Sequence, residues 1–176
     1  SIGSKNEYEF NELLKSLNED RLSAFKLLFN KPKDEGLGKL INRMIDDFTK
    51  KTPSRTVSLP YMDLPNLNRA IKYCSALIGN SFESIVIAPS FKTPVVDLGE
   101  RQKDRTKADN IITSQSTRDE ILCAIQNSVS TEFRLTIKDM SSPFEKALTS
   151  RKILDTIKTF KRSDINLKEF YSRTDV

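Results

Sequence analysis

Apolar residues recur at three-to-four spacing through most of the first 80 positions, and that spacing predicts helices. Phe10, Leu13, Leu14 and Leu17 make a first stripe, and Leu22, Phe25, Leu28 and Phe29 continue it beyond Asn18-Glu19-Asp20. Residues 30–36 carry no apolar side chain and contain Pro32 and Gly36, so they read as a turn. Leu37, Leu40, Ile41, Met44, Ile45 and Phe48 then form an amphipathic helix. It ends at Lys50-Lys51, where cations suit the carbonyl end of the dipole, and Pro53 stops it. Leu64, Leu67, Ile71, Cys74 and Ile78 give a further helix, with Gly79-Asn80 as its terminating signal.

Two β-branched runs interrupt this pattern. Residues 55–59, bounded by Pro53 and Pro60, are expected to be an extended edge segment, and residues 84–88 (Ser-Ile-Val-Ile-Ala) to pair with it. Between Pro89 and Gln115 the periodicity fails, and a long stretch of that kind inside a compact domain predicts a functional or disordered loop. Ser116 or Thr117 caps the next helix, with Asp119 and Glu120 in its first turn and Ile121, Leu122, Ile125, Val129, Phe133 and Ile137 along its stripe. Residues 142–160 are weakly amphipathic, and Ile165, Leu167, Phe170 and Tyr171 give the tail enough apolar surface to dock. The expected fold is all-α: an antiparallel four-helix bundle with a long loop at 90–115 between helices three and four, and at most a small short-stranded β segment. One domain is expected over residues 1–176, its bundle core at 10–150 and its tail at 160–176.

Composition agrees with that expectation and narrows the chemistry. The chain of 176 residues is 37% hydrophobic and 30% charged, with five glycines, which suits helices better than a tightly turning sandwich or barrel. It holds no histidine, so the commonest general base and metal ligand is missing. Two separated cysteines, Cys74 and Cys123, lie in apolar patterns and are expected to be buried, reduced thiols. No glycine-rich phosphate loop of either familiar spacing occurs, so neither an enzyme nor a cofactor nor a metal is expected. No apolar run has the length of a membrane span, and the start of the chain lacks a signal pattern. The net charge of +5 is a mild bias toward a polyanionic partner.

Order and spacing supply a resemblance. The stripes at 22–29 and 37–48, Thr56-Val57-Ser58-Leu59-Pro60, the helix at 64–78, the loop at 89–115, Asp119-Glu120 before Ala124-Ile125, and Ser142-Pro143-Phe144-Glu145 follow one another over residues 10–150. In that order they resemble the coat proteins of rod-shaped plant viruses of the tobacco mosaic virus type. The resemblance implies a helical capsid protein that polymerises with copies of itself around single-stranded RNA, in the virion and the host cytoplasm. It implies no small-molecule substrate and no membrane. Where the family carries Arg-Phe before the proline this chain has Ser58-Leu59, and the positive charge is displaced to Arg101, Lys103, Arg105 and Lys107, with Lys92 before them and Arg118 after. Such cations would hold a phosphate backbone without reading sequence. Asp119 and Asn127 of the fourth helix join that RNA set, and Glu120, Pro60, Phe144 and Glu145 are assigned to assembly and packing. The alternatives are a cellular helical module for protein interaction and a non-capsid viral RNA-binding or polymerase-cofactor protein.

Overall fold

The computed structural model describes residues 2–146 and 148–160. They form an α/β structure, not a four-helix bundle. Chain order is α1 (Ile2–Leu17), β1 (Leu27–Asn30), α2 (Leu37–Lys51), β2 (Thr56–Leu59), α3 (Leu64–Tyr73), β3 (Leu77–Gly79), α4 (Phe82–Ile87), β4 (Val95–Leu98), β5 (Ile111–Ser114), α5 (Arg118–Ser128), α6 (Thr131–Thr136) and α7 (Thr149–Thr159). Every strand pairing is parallel: β1 with β2, and β3, β4 and β5 in that order. The chain divides into two units, Ser1–Phe144 and Glu145–Val176, and both sheets belong to the first.

The errors of the all-helical expectation have separate causes. Leu28 and Phe29 fit a helical stripe with Leu22 and Phe25, but they belong to β1, and a short apolar run does not reveal its period. Residues 55–59 do hold a strand, β2, whose partner is β1 in the register Leu27↔Thr56 to Asn30↔Leu59. The expected partner at 84–88 lies mostly in α4, started by Ser81, whose Oγ accepts the amide of Ser84 at 3.3 Å. The helix predicted over 64–78 stops at Tyr73, and Leu77-Ile78-Gly79 becomes β3. The supposed loop at 89–115 contains both β4 and β5. The fourth helix breaks near Val129 and restarts at Thr131, where Ser130 Oγ accepts the amide of Phe133 at 3.1 Å. Glycine scarcity did not discriminate here, because parallel strands are joined by helices and need no tight hairpins.

β4 is the centre of the sheet, and all four of its residues are buried. Alternate side chains of a strand point to opposite faces, and the packing follows that rule. Val96 and Leu98 join a core with Leu13 and Leu17 of α1, Phe48 of α2 and Ile121, Leu122, Ala124 and Ile125 of α5, against which Leu27, Phe29 and Ile78 also pack. Val95 lies in a second cluster with Ile71 of α3 and Ala88. The fit of α/β type is therefore a sheet with apolar cover on two faces, as parallel sheets require. The two cysteines, expected to be buried, are exposed and free. In the second unit α7 exposes Ile153, Leu154 and Ile157, while the tail residues from Lys161 onward lie outside the described residues.

Candidate functional site

In open parallel sheets the loops leaving the carboxyl ends of the strands frame the crevice where ligands bind. Here β3 runs out into Asn80 and Ser81, β4 into residues 99–107, and β5 into Gln115, Ser116 and Thr117. The turn after β3 is fixed by Ser81, which caps α4. The turn after β4 begins at Gly99 with φ of 71°. A Cβ there would stand 3.1 Å from both Glu9 Oε1 and Ser116 Oγ, so the left-handed backbone and the crowding both favour glycine.

Beyond Gly99 the chain is pinned from inside. Gln102, 2% exposed, donates from Nε2 to the carbonyl of Asn80 at 2.8 Å and so ties the β4 loop to the β3 turn. Ala108 enters a small cluster with Ile137 and Met140. Around these anchors Arg101, Lys103, Asp104 and Arg105 remain exposed. The Arg105 guanidinium lies 4.7 Å above the ring of Phe82, the first residue of α4. Phe82, Ile85, Val86, Asp104, Arg105, Thr106 and Phe144 line an adjoining cleft of about 300 Å³.

The far side of this edge is occupied by α1. Glu12 Oε2 accepts the backbone N–H of Arg118 at 3.2 Å, so a carboxylate 106 positions earlier caps α5. Ser16 Oγ donates to the Arg118 carbonyl at 2.8 Å, and the Arg118 side chain pairs with Glu19. The Lys15 ammonium, 2.7 Å from Glu12 Oε1, lowers the Glu12 pKa, against an opposing push from burial and with help from the Arg118 amide. The N-terminus of α5 is thus already filled by a protein carboxylate, which leaves the β3 and β4 loops as the open part of the crevice.

The residues singled out from sequence divide accordingly. Arg101, Lys103 and Arg105 are all exposed on the β4 loop. Lys107 turns inward, its Nζ 2.8 Å from Asp97 Oδ2 and donating to Thr113 Oγ1 at 2.8 Å. Lys92 has left-handed φ of 53° and donates to the Lys138 carbonyl at 2.5 Å. Asp119 is exposed in the first turn of α5, Asn127 in its last, and Glu120 accepts from Thr117 Oγ1 at 2.5 Å as part of the helix start. Pro60 is exposed just after β2. Phe144 lines the cleft and Glu145 begins the second unit. Sequence reasoning missed Asn80, Ser81, Phe82, Gly99, Gln102 and Asp97. The available signal was the twice-repeated pattern of an apolar run ending in glycine, Leu77-Ile78-Gly79 and Val95-Val96-Asp97-Leu98-Gly99, each the end of a strand. Among the described residues, no group of three or more His, Cys, Asp or Glu could hold a metal ion, and no helix is long and apolar enough to cross a membrane.

A parallel α/β sheet with cation-bearing loops at its carboxyl edge defines a Rossmann-like binding fold. The chain belongs to the UDP-N-acetylglucosamine 2-epimerase family, whose model matches residues 2–158. Among curated relatives, the "GDP/UDP-N,N'-diacetylbacillosamine 2-epimerase (hydrolyzing)" of Campylobacter jejuni is 34% identical over 107 residues, 61% of this chain and 27% of that protein. The polysialic acid biosynthesis protein P7 of Escherichia coli is 30% identical over 102 residues, 57% of this chain and 26% of its own length. The chain therefore spans about a quarter of these relatives. Of solved structures, the S. aureus MnaA–UDP complex superposes with a TM-score of 0.67 at 17% identity, covering 85% of this chain and 40% of that one. A Listeria monocytogenes protein described as a UDP-N-acetylglucosamine 2-epimerase gives 0.67 at 10% identity, over 93% of this chain and 44% of its own.

Family membership overturns the coat-protein resemblance. The capsid and single-stranded RNA partner, the helical homo-polymer, the virion and host-cytoplasm location, and both helical alternatives fall with it. So does the expectation of a non-enzyme without a small-molecule substrate, since the family and the Campylobacter jejuni relative are named as epimerases of nucleotide sugars. The order of elements carried that resemblance, but the stripe at 22–29 ends in β1, the helix at 64–78 gives way to β3, and the loop at 89–115 holds β4 and β5. Cations on a loop suit any phosphate, so their presence did not distinguish an RNA backbone from a nucleotide.

Proposed function

We propose that this chain serves a UDP-sugar 2-epimerase and supplies the wall that holds the nucleotide diphosphate. The observation that carries the reading is the β4 loop of this family member, which presents Arg101, Lys103 and Arg105 at the carboxyl edge of the sheet beside the α4 turn. Fixed cations there neutralise phosphate charge in the bound state, and they stabilise charge that develops on a departing diphosphate without needing to reorganise. Phe82 and Arg105 add an apolar face and a stacked guanidinium next to them. Carboxylates on the same edge oppose binding: Glu83 lies in the first turn of α4, and Glu100 and Asp104 stand exposed among the loop cations.

Calorimetric titration tests this reading, with UDP, uridine and a single-stranded oligonucleotide as ligands. UDP is expected to bind in preference to uridine, with a salt dependence set by the loop cations, and the triple variant Arg101→Ser, Lys103→Ser, Arg105→Ser is expected to lose that preference. Equal affinity for UDP and uridine would remove the diphosphate from the site. Proton NMR of UDP-N-acetylglucosamine incubated with the protein then reads inversion at C2 and release of UDP directly.

A further inference from the structure

Asp97 stands on the central strand and is fully buried, with Gly79 of β3 and Thr113 of β5 as its register neighbours. Among the described residues its charge is met by the Lys107 ammonium, 2.8 Å from Oδ2. That approach is too poorly aligned to be a hydrogen bond, and Oδ1 also has no partner. The aligned bond of Lys107 goes to Thr113 Oγ1 at 2.8 Å. A buried pair so incompletely satisfied is a poor device for stability, because apolar residues of similar volume commonly do as well. Its position suggests a different use. Lys107 closes the segment that begins at Gly99, and the segment's other internal tie is Gln102 to the Asn80 carbonyl at 2.8 Å. With Gln102 and Lys107 drawn inward, Arg101, Lys103 and Arg105 are left facing out.

We propose that Asp97 and Lys107 are positioning residues for the nucleotide diphosphate: their buried charge pair sets the path of the β4 loop and hence the placement of its three exposed cations. This rests on the reading of the crevice as a UDP site. Neither residue touches the ligand. Lys107 is 20% exposed at its side chain and committed to β4 and β5, so it acts through the backbone it holds. A cation displaced by even an ångström loses much of its value to a fixed ligand charge.

The test measures affinity for UDP and for uridine in the wild-type chain and in the variants Asp97→Asn, Lys107→Met and Lys107→Arg, with hydrogen exchange of residues 100–106 in each. Lys107→Met and Asp97→Asn are expected to weaken UDP about tenfold and uridine hardly at all, with faster loop exchange and a folded core. Lys107→Arg, which keeps the charge, is expected to recover most of the UDP affinity. A purely structural pair would lower the melting temperature while the folded variants kept the wild-type preference for UDP, and that result overturns the proposal. If Lys107→Met fails to fold, the Asp97→Asn and Lys107→Arg pair carries the comparison, and equal UDP affinity in both is again the overturning result. Absence of any UDP preference in the wild-type chain is a different failure: it overturns the reading of the site and this proposal with it.

Discussion

α2 and β4 are both essential to the same core, yet only α2 can be recognised from its sequence. α2 buries Ile45 and Phe48 and turns its charged residues outward, so its burial is written as a period along the chain. β4 is buried on both faces and includes an aspartate, so it has no period to show. A surface element advertises its fold, whereas a central parallel strand is specified by its neighbours. Substitutions that probe each region should separate accordingly.

The largest effect is expected in the core under β4. Ile121, fully buried against Val96 and Leu98, should cost about 3 kcal/mol on change to Ala. Leu64→Ala on α3, where the side chain is 55% exposed, should cost under about 0.5 kcal/mol. Chemical denaturation monitored by circular dichroism checks both, and equal losses would dissolve the contrast between the core packed on β4 and the amphipathic surface. Next comes Gly99→Ala, where a φ of 71° and two oxygens at 3.1 Å predict a loss of about 1–2 kcal/mol, read from the same unfolding curves.

A pH test follows from the strap of α1 across α5. The carboxyl of Glu12 is held below its ordinary value of 4.5, by Lys15 first and the Arg118 amide in support. A carboxylate with a depressed folded pKa stabilises the protein above its unfolded pKa, and that contribution is lost as pH falls through the folded value. Glu12→Gln is therefore expected to be less stable than wild type at pH 7, with the two melting temperatures converging below pH 4.5. A gap that stays constant with pH would show that the charge of Glu12 is not what caps the helix. The smallest effect concerns Glu83. Removing its charge by Glu83→Gln should raise UDP affinity about two- to threefold, and unchanged affinity would place the phosphates away from the first turn of α4.

What could be read in advance was the set of elements with one solvated face. α2 was legible almost to its ends, and β2 was legible because prolines bound a β-branched run. β1 was lost to α-helical spacing: Leu22, Phe25, Leu28 and Phe29 fit that template although residues 27–30 are extended. β4 and β5 were lost because the charged stretch between them dominates any window, and Asp97 inside β4 reads as polar although Lys107 accompanies it into the interior. The candidate site was legible only where charge marks it. Arg101, Lys103 and Arg105 stand out by charge, while Gln102 and Gly99 act through an internal hydrogen bond and a backbone angle that composition does not display. The inference from those cations to an RNA partner is overturned by the family match, because loop cations do not distinguish one phosphate from another.

The central claim is that the carboxyl edge of β3 and β4 holds a uridine diphosphate. Amide chemical-shift mapping on the isotopically labelled chain, titrated with UDP, tests it most directly. The expected result is a set of saturable shifts at residues 79–84 and 99–106, with residues 26–28 and 53–57 at the amino ends of β1 and β2 unmoved. Shifts confined to that second region, or no saturable shifts at millimolar UDP, would contradict it.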